Sequence, residues 1–439
     1  MRILIRNCAV LPMTGPQDFM AMGDIAIQDN RVCAIGPAGE LKAKGVLSAD
    51  WKPERILEAA GKVALPGLVN THTHAAMTLL RGYADDMPLM PWLEKKIFPA
   101  EERLKAEDVF WGTQLAILEM LKSGTTCFAD MYFFMDEVAR AVELSGIRAS
   151  LSRGLIGIAP NGKQALEEGV AFVKNWEGKA GGRITTRLGP HAPYTCPAEY
   201  LQSVIAHSDT LGVGLHIHLA ETRGEVENLR STTGKTPVQY VDDLGLLQRP
   251  VLGAHCVHVT AEEIATLGQR KVGVAHNPES NMKLASGVAP VPQMLKAGVK
   301  VGLGTDGAAS NNNLDLLQEM RSAALLHKVF TEDATVLPAY QALEMATIGG
   351  ARALGMEKEI GLLKPGYQAD LILIDLEKPH FCPRHDLVAH LVYAALASDV
   401  DTVLVSGQIV VEQGQVVTLA EKEIRATVEE RAKRLVAGL

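Results

Sequence analysis

Short apolar and β-branched runs alternate with longer amphipathic stretches through the middle of the chain, from about residue 62 to about residue 355. Within residues 108–121 and 136–144, apolar positions recur every three or four residues, which is typical of helices. Eight strand–helix units predict a TIM-type (β/α)8 barrel of the α/β class, with an open α/β sheet as the alternative. The eight runs that we interpret as strands lie at residues 63–70, 125–130, 149–153, 185–191, 214–218, 251–255, 272–276 and 299–306.

The two ends of the chain have a different pattern, with short alternating runs separated by Gly, Asn and Asp. This pattern predicts β-hairpins at both ends. We expect residues 1–60 and 361–439 to build one small β-sandwich, with the barrel of residues 61–360 inserted between its two parts. Residues 421–439 are charged and amphipathic, which predicts a terminal helix.

Composition excludes several classes of partner for this chain of 439 residues. With 47% hydrophobic residues a large core can form, whereas a net charge of -8 argues against a nucleic-acid partner. No apolar run approaches the roughly 18 residues of a membrane span, and the first residues are typical of a strand and not of a signal peptide. The six cysteines are scattered without a Cys-x-x-Cys pair, which favours reduced thiols in a cytoplasmic protein.

Histidines and carboxylates stand where the predicted strands end, and in a barrel these ends converge on one mouth. His72 and His74 end the first strand and point to the same face, because strand side chains alternate. Two such imidazoles can chelate zinc. A single His-x-His pair is weak evidence for a metal site, and His216 and His218 form a second such pair. Later strands end in His191, His218, His255 and Asp306.

The metal-site hypothesis becomes strong only when these residues are taken together. His218 and Asp306 would add a third imidazole and a carboxylate to the first pair, a set that suits zinc and leaves a position open for water. The same ligand types also accept iron or manganese. Glu221 follows His218 by three residues and could move a proton without binding the metal. The alternative for Glu221 is an acid at a helix N-terminus.

The segments around these residues resemble the amidohydrolase superfamily: PGLVNTHTH at 66–74, HIHLAET at 216–222, GAHCVH at 253–258 and GTDGAASN at 304–311. The resemblance covers essentially the whole chain, and these motifs are highly specific. The chain is most similar to the 5-methylthioadenosine/S-adenosylhomocysteine deaminases, through PWLE at 91–94, FPAE at 98–101, GPHAPY at 189–194 and HNPESN at 276–281. This second set is moderately specific, because related deaminases and ring chlorohydrolases share several of its members.

The resemblance implies one zinc ion per subunit and three catalytic residues. A single ion is expected because the fourth strand ends in LGPH, without the lysine that bridges two metals in other family members. Glu221 would shuttle protons, His255 would hold the attacking water, and Asp306 would help to orient it. The implied metal ligands are His72, His74, His218 and Asp306.

The resemblance also implies substrate contacts, which include Glu221 and Asp306. Glu101 would accept hydrogen bonds from the ribose hydroxyls, which suits an ionised carboxylate, and His191 would contact the purine. Arg153 would pair with the carboxylate of S-adenosylhomocysteine. The alternatives are an exposed helix acid for Glu101 and a structural ion pair for Arg153.

The expected reaction is hydrolytic deamination of a small-molecule nucleoside, with release of ammonia. It would convert 5′-methylthioadenosine to 5′-methylthioinosine and S-adenosylhomocysteine to S-inosylhomocysteine. Some family members carry a second arginine in the region of residues 154–173, where this chain has only Lys163, so a neutral methylthio tail would serve as well. The alternatives are a sister hydrolase of guanine, cytosine or chlorotriazine rings and a metal-free scaffold, which the complete ligand set disfavours. The sequence leaves open which of these substrates is preferred. It also leaves open the oligomeric state, and a homo-oligomer is one of the alternatives.

Overall fold

The computed structural model describes all 439 residues and contains two separate sheets. Eight parallel strands pair in chain order, and the amide of Asp306 donates to the carbonyl of His72 at 3.0 Å, joining the last strand to the first. The predicted barrel is therefore confirmed. Its strands are Leu68–Thr73, Thr125–Tyr132, Arg148–Leu155, Ile184–Pro190, Gly214–Leu219, Val251–His255, Gly273–His276 and Lys300–Leu303.

Helices connect the barrel strands and bury apolar side chains against them. The predicted helices at 108–121 and 136–144 lie inside two of these. The first starts where the Asp108 carboxylate accepts from the amide of Lys105 at 2.9 Å, and the second ends at Gly146, whose φ of 84° suits glycine. The principal helices of the barrel are Ala106–Lys122, Met135–Ser145, Gly162–Trp176, Ala198–Leu211, Arg223–Thr233, Pro237–Asp243, Ala261–Gln269, Pro278–Lys283, Val291–Lys296, Leu316–Thr331, Ala339–Glu344 and Gly350–Leu354.

The two chain ends share one mixed sheet of nine strands, so the prediction that both termini build a single β-domain is confirmed. Side chains from both ends meet in its core, where Ile3 and Ile25 pack with Leu371 and Leu404. The helix Glu421–Val436 follows the last strand. The strands of this sheet are Arg2–Val10, Met20–Gln28, Arg31–Pro37, Arg55–Glu58, Lys62–Pro66, Leu371–Asp375, Val400–Val405, Gln408–Glu412 and Gln415–Val416.

The predicted strand at residues 63–70 is wrong as a single element. Lys62–Pro66 belongs to the terminal sheet, where it pairs with Leu371–Asp375, and Leu68–Thr73 begins the barrel. The chain passes between the two sheets at Gly67, where an added Cβ would lie 2.1 Å from the Thr126 hydroxyl. Only glycine allows this close approach, and the apolar pattern on both sides hides the break.

A buried ion pair connects the barrel to the terminal sheet. Arg148, at the start of the third barrel strand, donates from Nε to Asp370 Oδ2 at 2.7 Å and from Nη2 to Oδ1 at 3.2 Å. The amide of Ser406 also donates to Asp370 Oδ1, at 2.7 Å. The six cysteines are free thiols. None of the helices has both the length and the apolar character needed to cross a membrane.

Candidate active site

Three histidines from two barrel strands converge at the mouth of the barrel. His72 and His74 come from the end of the first strand, and His218 comes from the fifth. Nε2 of His218 lies 3.3 Å from Nε2 of His74, and the rings of His72 and His218 have centroids 4.9 Å apart. The structure therefore brings together residues that are separated by more than 140 positions in the sequence.

Backbone carbonyls hold the outer nitrogens of two of these rings. Nδ1 of His74 lies 2.6 Å from the carbonyl oxygen of Met131, and Nδ1 of His218 lies 2.8 Å from that of His191. A carbonyl oxygen only accepts, so each Nδ1 carries the proton and donates it. The lone pair of each ring is then on Nε2, which faces the centre of the cluster.

His216, the first member of the second His-x-His pair, supports the third ring. Its Nε2 lies 2.9 Å from His72 Nδ1, and its Nδ1 lies 3.2 Å from the Ser152 hydroxyl. Ser152 donates its single proton to the carbonyl of Asp130 at 2.8 Å, so it accepts from His216 Nδ1. His216 Nε2 therefore accepts from His72 Nδ1, and the lone pair of His72 is on Nε2.

Asp306 adds a carboxylate at the end of the last barrel strand. Its Oδ1 lies 3.4 Å from His72 Nε2 and 3.3 Å from His74 Nε2. Its Oδ2 accepts from the hydroxyls of Ser280 at 2.6 Å and Ser310 at 2.8 Å. Burial alone would raise the pKa of Asp306, but the adjacent imidazoles, His72 first, lower it well below its usual value. Asp306 is thus an ionised carboxylate with one oxygen free.

These groups fit a divalent metal ion. His72 Nε2 is fully buried and has no hydrogen-bond partner in the protein, although an isolated polar atom there would be costly. The potential ligand atoms of His72, His74 and Asp306 all lie within 4.8 Å of one another, and so do those of His72, His218 and His255. Three imidazole nitrogens and one carboxylate oxygen are a ligand set typical of zinc and related ions.

Glu221 and His255 lie beside this cluster, with His255 Nε2 3.9 Å from Glu221 Oε2. Burial raises the pKa of Glu221. Burial alone would lower the pKa of His255, but the neighbouring carboxylates, Glu221 first, raise it. His255 Nδ1 lies 2.9 Å from Asn281 Oδ1, which leaves Nε2 facing Glu221. The Glu225 carboxylate accepts from the Glu221 amide at 2.7 Å and so holds that segment in place.

An open cavity of about 760 Å³ includes residues of the cluster in its lining. Such a volume suits a small molecule. Glu101 lies on its wall and accepts from the Tyr132 hydroxyl at 2.7 Å. Burial raises the pKa of Glu101 to about 7. The lining residues are His74, Met77, Leu89, Trp92, Leu93, Phe98, Glu101, Met131, Tyr132, Phe133, Gly154, Ile156, His191, Tyr194, His218, Glu221, His255, Leu284, Asp306 and Ser310.

The other two predicted substrate contacts differ in position. His191 lines the cavity, with Nδ1 3.0 Å from the Thr195 hydroxyl, and burial lowers its pKa to about 4, so the ring is neutral. Arg153 does not line the cavity. Its Nη2 donates to Glu168 Oε2 at 3.0 Å, and Nη1 donates to the carbonyl of Gly154.

Several supporting residues were missed from the sequence. Ser280 and Asn281 belong to the HNPESN motif, which indicated a family resemblance but no role for either residue. Ser310 follows Asp306 by four residues. The repeated His-x-His pattern includes His216, but it predicted no function for this residue. Ser152 and Tyr132 carried no signal, because isolated hydroxyl residues on strands are common.

The chain is similar to known proteins over most of its length. Residues 63–410 match the model of the amidohydrolase family. The chain belongs to the amidohydrolase family. This amidohydrolase is 57% identical over 434 residues to a 5-methylthioadenosine/S-adenosylhomocysteine deaminase of Pelotomaculum thermopropionicum, with 99% of each chain covered. It is 59% identical to the protein of the same name from Moorella thermoacetica, covering 98% of this chain and 99% of that one.

Solved structures share the fold over nearly the full length of this amidohydrolase. A zinc-bound adenosine deaminase from Xanthomonas campestris is 35% identical, with a TM-score of 0.94 and coverage of 99% of this chain and 98% of that one. An atrazine chlorohydrolase from Arthrobacter aurescens complexed with zinc is 25% identical, with a TM-score of 0.90 and coverage of 98% and 100%.

Proposed function

We propose that this amidohydrolase hydrolytically deaminates 5′-methylthioadenosine and S-adenosylhomocysteine. The observation that carries the proposal is the partly buried Glu101 carboxylate on the wall of a cavity that begins at the metal-binding cluster. A ribose diol offers two hydroxyl donors, and a carboxylate is a strong acceptor for both. The full-length relatives named for this activity support the same substrates.

The ion that this proposal requires is a single zinc, held by Nε2 of His72, His74 and His218 and by Asp306. The orphaned Nε2 of His72 and the zinc-bound structural relative support that choice. A bound zinc ion would lower the pKa of water towards neutrality. No lysine faces the cavity to bridge a second ion, which favours one metal per subunit.

The protein's own groups then move the protons. Burial raises the pKa of Glu221, which favours its protonated form, and the carboxyl can deliver that proton to the ring nitrogen next to the amine-bearing carbon. That protonation makes the carbon more electrophilic towards water. His255, oriented by Asn281, positions the attacking water beside Glu221. As water adds to the carbon it gives one proton to the Glu221 carboxylate, which passes it to the amine, and the amine leaves as ammonia. Glu221 takes the second proton of the water as the carbonyl forms, which restores its starting state.

His191 would orient the purine. Its ring is neutral and lies between the metal cluster and Tyr194 on the cavity wall, with ring centroids 4.8 Å from His218 and 6.0 Å from Tyr194. A neutral imidazole can hydrogen-bond an uncharged base without adding a charge to the cavity. Guanine or triazine hydrolysis would use the same cluster but would offer Glu101 no ribose hydroxyl to bind.

A substrate panel tests the proposal. Ammonia release is followed at one enzyme concentration with 5′-methylthioadenosine, S-adenosylhomocysteine, adenosine, adenine, guanine and a chlorotriazine. We expect the nucleosides to react and adenine to react much more slowly. Preferred turnover of guanine or the triazine would overturn the proposal. Glu101→Ala should impair the nucleosides, and an equal loss for adenine would remove the ribose contact. Cytoplasmic location stays an expectation from the sequence.

A further inference from the structure

The side chain of Arg153 points away from the barrel interior. The preceding residue, Ser152, contacts the buried His216 inside the barrel, and side chains alternate along a strand. Arg153 therefore faces the helix Gly162–Trp176, where a Cβ added at Gly169 would lie 3.7 Å from Arg153 Cβ. The guanidinium group therefore lies outside the cavity, at its rim.

At that rim, the guanidinium is already occupied. Glu168 accepts from Arg153 at 3.0 Å, and Gln164 Nε2 donates to the other oxygen of Glu168 at 2.9 Å. The Arg153 guanidinium carbon lies 5.3 Å from the centroid of the Phe133 ring. Phe133 lines the cavity, so the guanidinium contacts a ring that belongs to the cavity wall.

The cavity itself contains no lysine or arginine among its lining residues. Its walls, to which Phe133 and Gly154 belong, carry apolar side chains that include Phe98 and Ile156. A neutral thioether tail is compatible with such a wall. A tail that ends in a carboxylate needs a cation, and Arg153 is the one at the rim.

We propose that Glu168 is a specificity-determining residue that competes with the substrate carboxylate for Arg153. A substrate with a carboxylate tail must displace Glu168 before it can pair with the guanidinium, whereas a methylthio tail leaves the ion pair intact. The intact pair therefore favours 5′-methylthioadenosine over S-adenosylhomocysteine. This inference rests on the proposed function, because it concerns the tails of those two nucleosides.

The test compares kcat/KM for both nucleosides in the zinc-loaded wild type, Glu168→Gln and Glu167→Gln. Glu167 is an exposed neighbour on the same helix, so its variant makes the same change of net charge without releasing Arg153. Exposed ion pairs contribute about 0.2–1 kcal/mol. Glu168→Gln should therefore raise kcat/KM for S-adenosylhomocysteine, relative to that for 5′-methylthioadenosine, about 1.4- to five-fold.

A double variant identifies the cation. In Arg153→Met with Glu168→Gln, the gain of S-adenosylhomocysteine relative to 5′-methylthioadenosine should disappear. The proposal is overturned if Glu167→Gln gives the same gain, if neither variant changes the ratio, or if the gain survives loss of Arg153. If the wild type deaminates neither nucleoside, the proposed function fails first. If it deaminates 5′-methylthioadenosine normally while the ratio stays fixed, only this inference fails.

Discussion

His216 Nε2 accepts a hydrogen bond from His72 Nδ1 at 2.9 Å, and this contact decides which nitrogen of His72 faces the metal site. Ser152 accepts from His216 Nδ1, so His216 carries its proton on Nδ1 and accepts from His72 with Nε2. His72 is therefore protonated on Nδ1 and unprotonated on Nε2, the atom that has no partner in the protein. The second His-x-His pair thus combines a proposed ligand, His218, with a residue that orients another ligand.

Replacing His216 should weaken metal binding. His216→Leu removes the acceptor for His72 Nδ1, so His72 can turn or change tautomer, and we expect zinc affinity to fall about 10- to 100-fold. His216→Gln is the matched control, because its amide oxygen can accept at the same place and should preserve most of the affinity. Competition with a chromogenic chelator measures both. Wild-type affinity in His216→Leu would contradict this role.

Glu221→Gln should separate metal binding from turnover. The amide is similar in shape but cannot carry the proton, so we expect kcat to fall by about 10²–10⁴-fold with the zinc content unchanged. Metal analysis and ammonia release are measured on the same preparation. Glu227→Gln, an exposed change on the helix Arg223–Thr233, should leave both values at the wild-type level. Normal turnover in Glu221→Gln would rule out proton transfer by Glu221.

Nucleoside binding should weaken as the pH falls through about 7. Burial raises the pKa of Glu101 to about 7, so below that pH the carboxyl becomes protonated and loses part of its acceptor capacity for the ribose hydroxyls. The inhibition constant of 5′-methylthioinosine, measured between about pH 5.5 and pH 8.5, should therefore rise on the acidic side. In Glu101→Gln this step should be absent. The same pH step in the variant would assign it to another group.

Arg148→Met should destabilise the protein strongly, because it leaves the buried Asp370 carboxylate without its cation. Breaking one partner of a buried pair costs about 3–5 kcal/mol. The midpoint of urea unfolding, followed by circular dichroism, should fall accordingly. Adding Asp370→Asn to Arg148→Met should recover part of the loss, since the uncompensated charge is then gone. An unchanged midpoint in Arg148→Met would show that the pair contributes little.

The sequence by itself determined the repeating units and the ends of the strands. Apolar runs indicate which segments are buried strands. The residue that follows each run lies at the mouth of the barrel, and this position does not depend on how the side chains pack. His72, His74, His218, His255 and Asp306 could therefore be predicted to lie together, and the motifs around them pointed to the family.

Only the tertiary structure decided the contacts that depend on side-chain direction and on distant partners. The break at Gly67 is set by Thr126, the orientation of His72 is set by His216, and Arg153 is turned towards Glu168 by the alternation of its strand. Periodicity identifies a face of a strand, but it does not say which atom on a neighbouring strand or helix meets that face. These partners become known only once the barrel has closed, because closure sets the spacing and register of its elements.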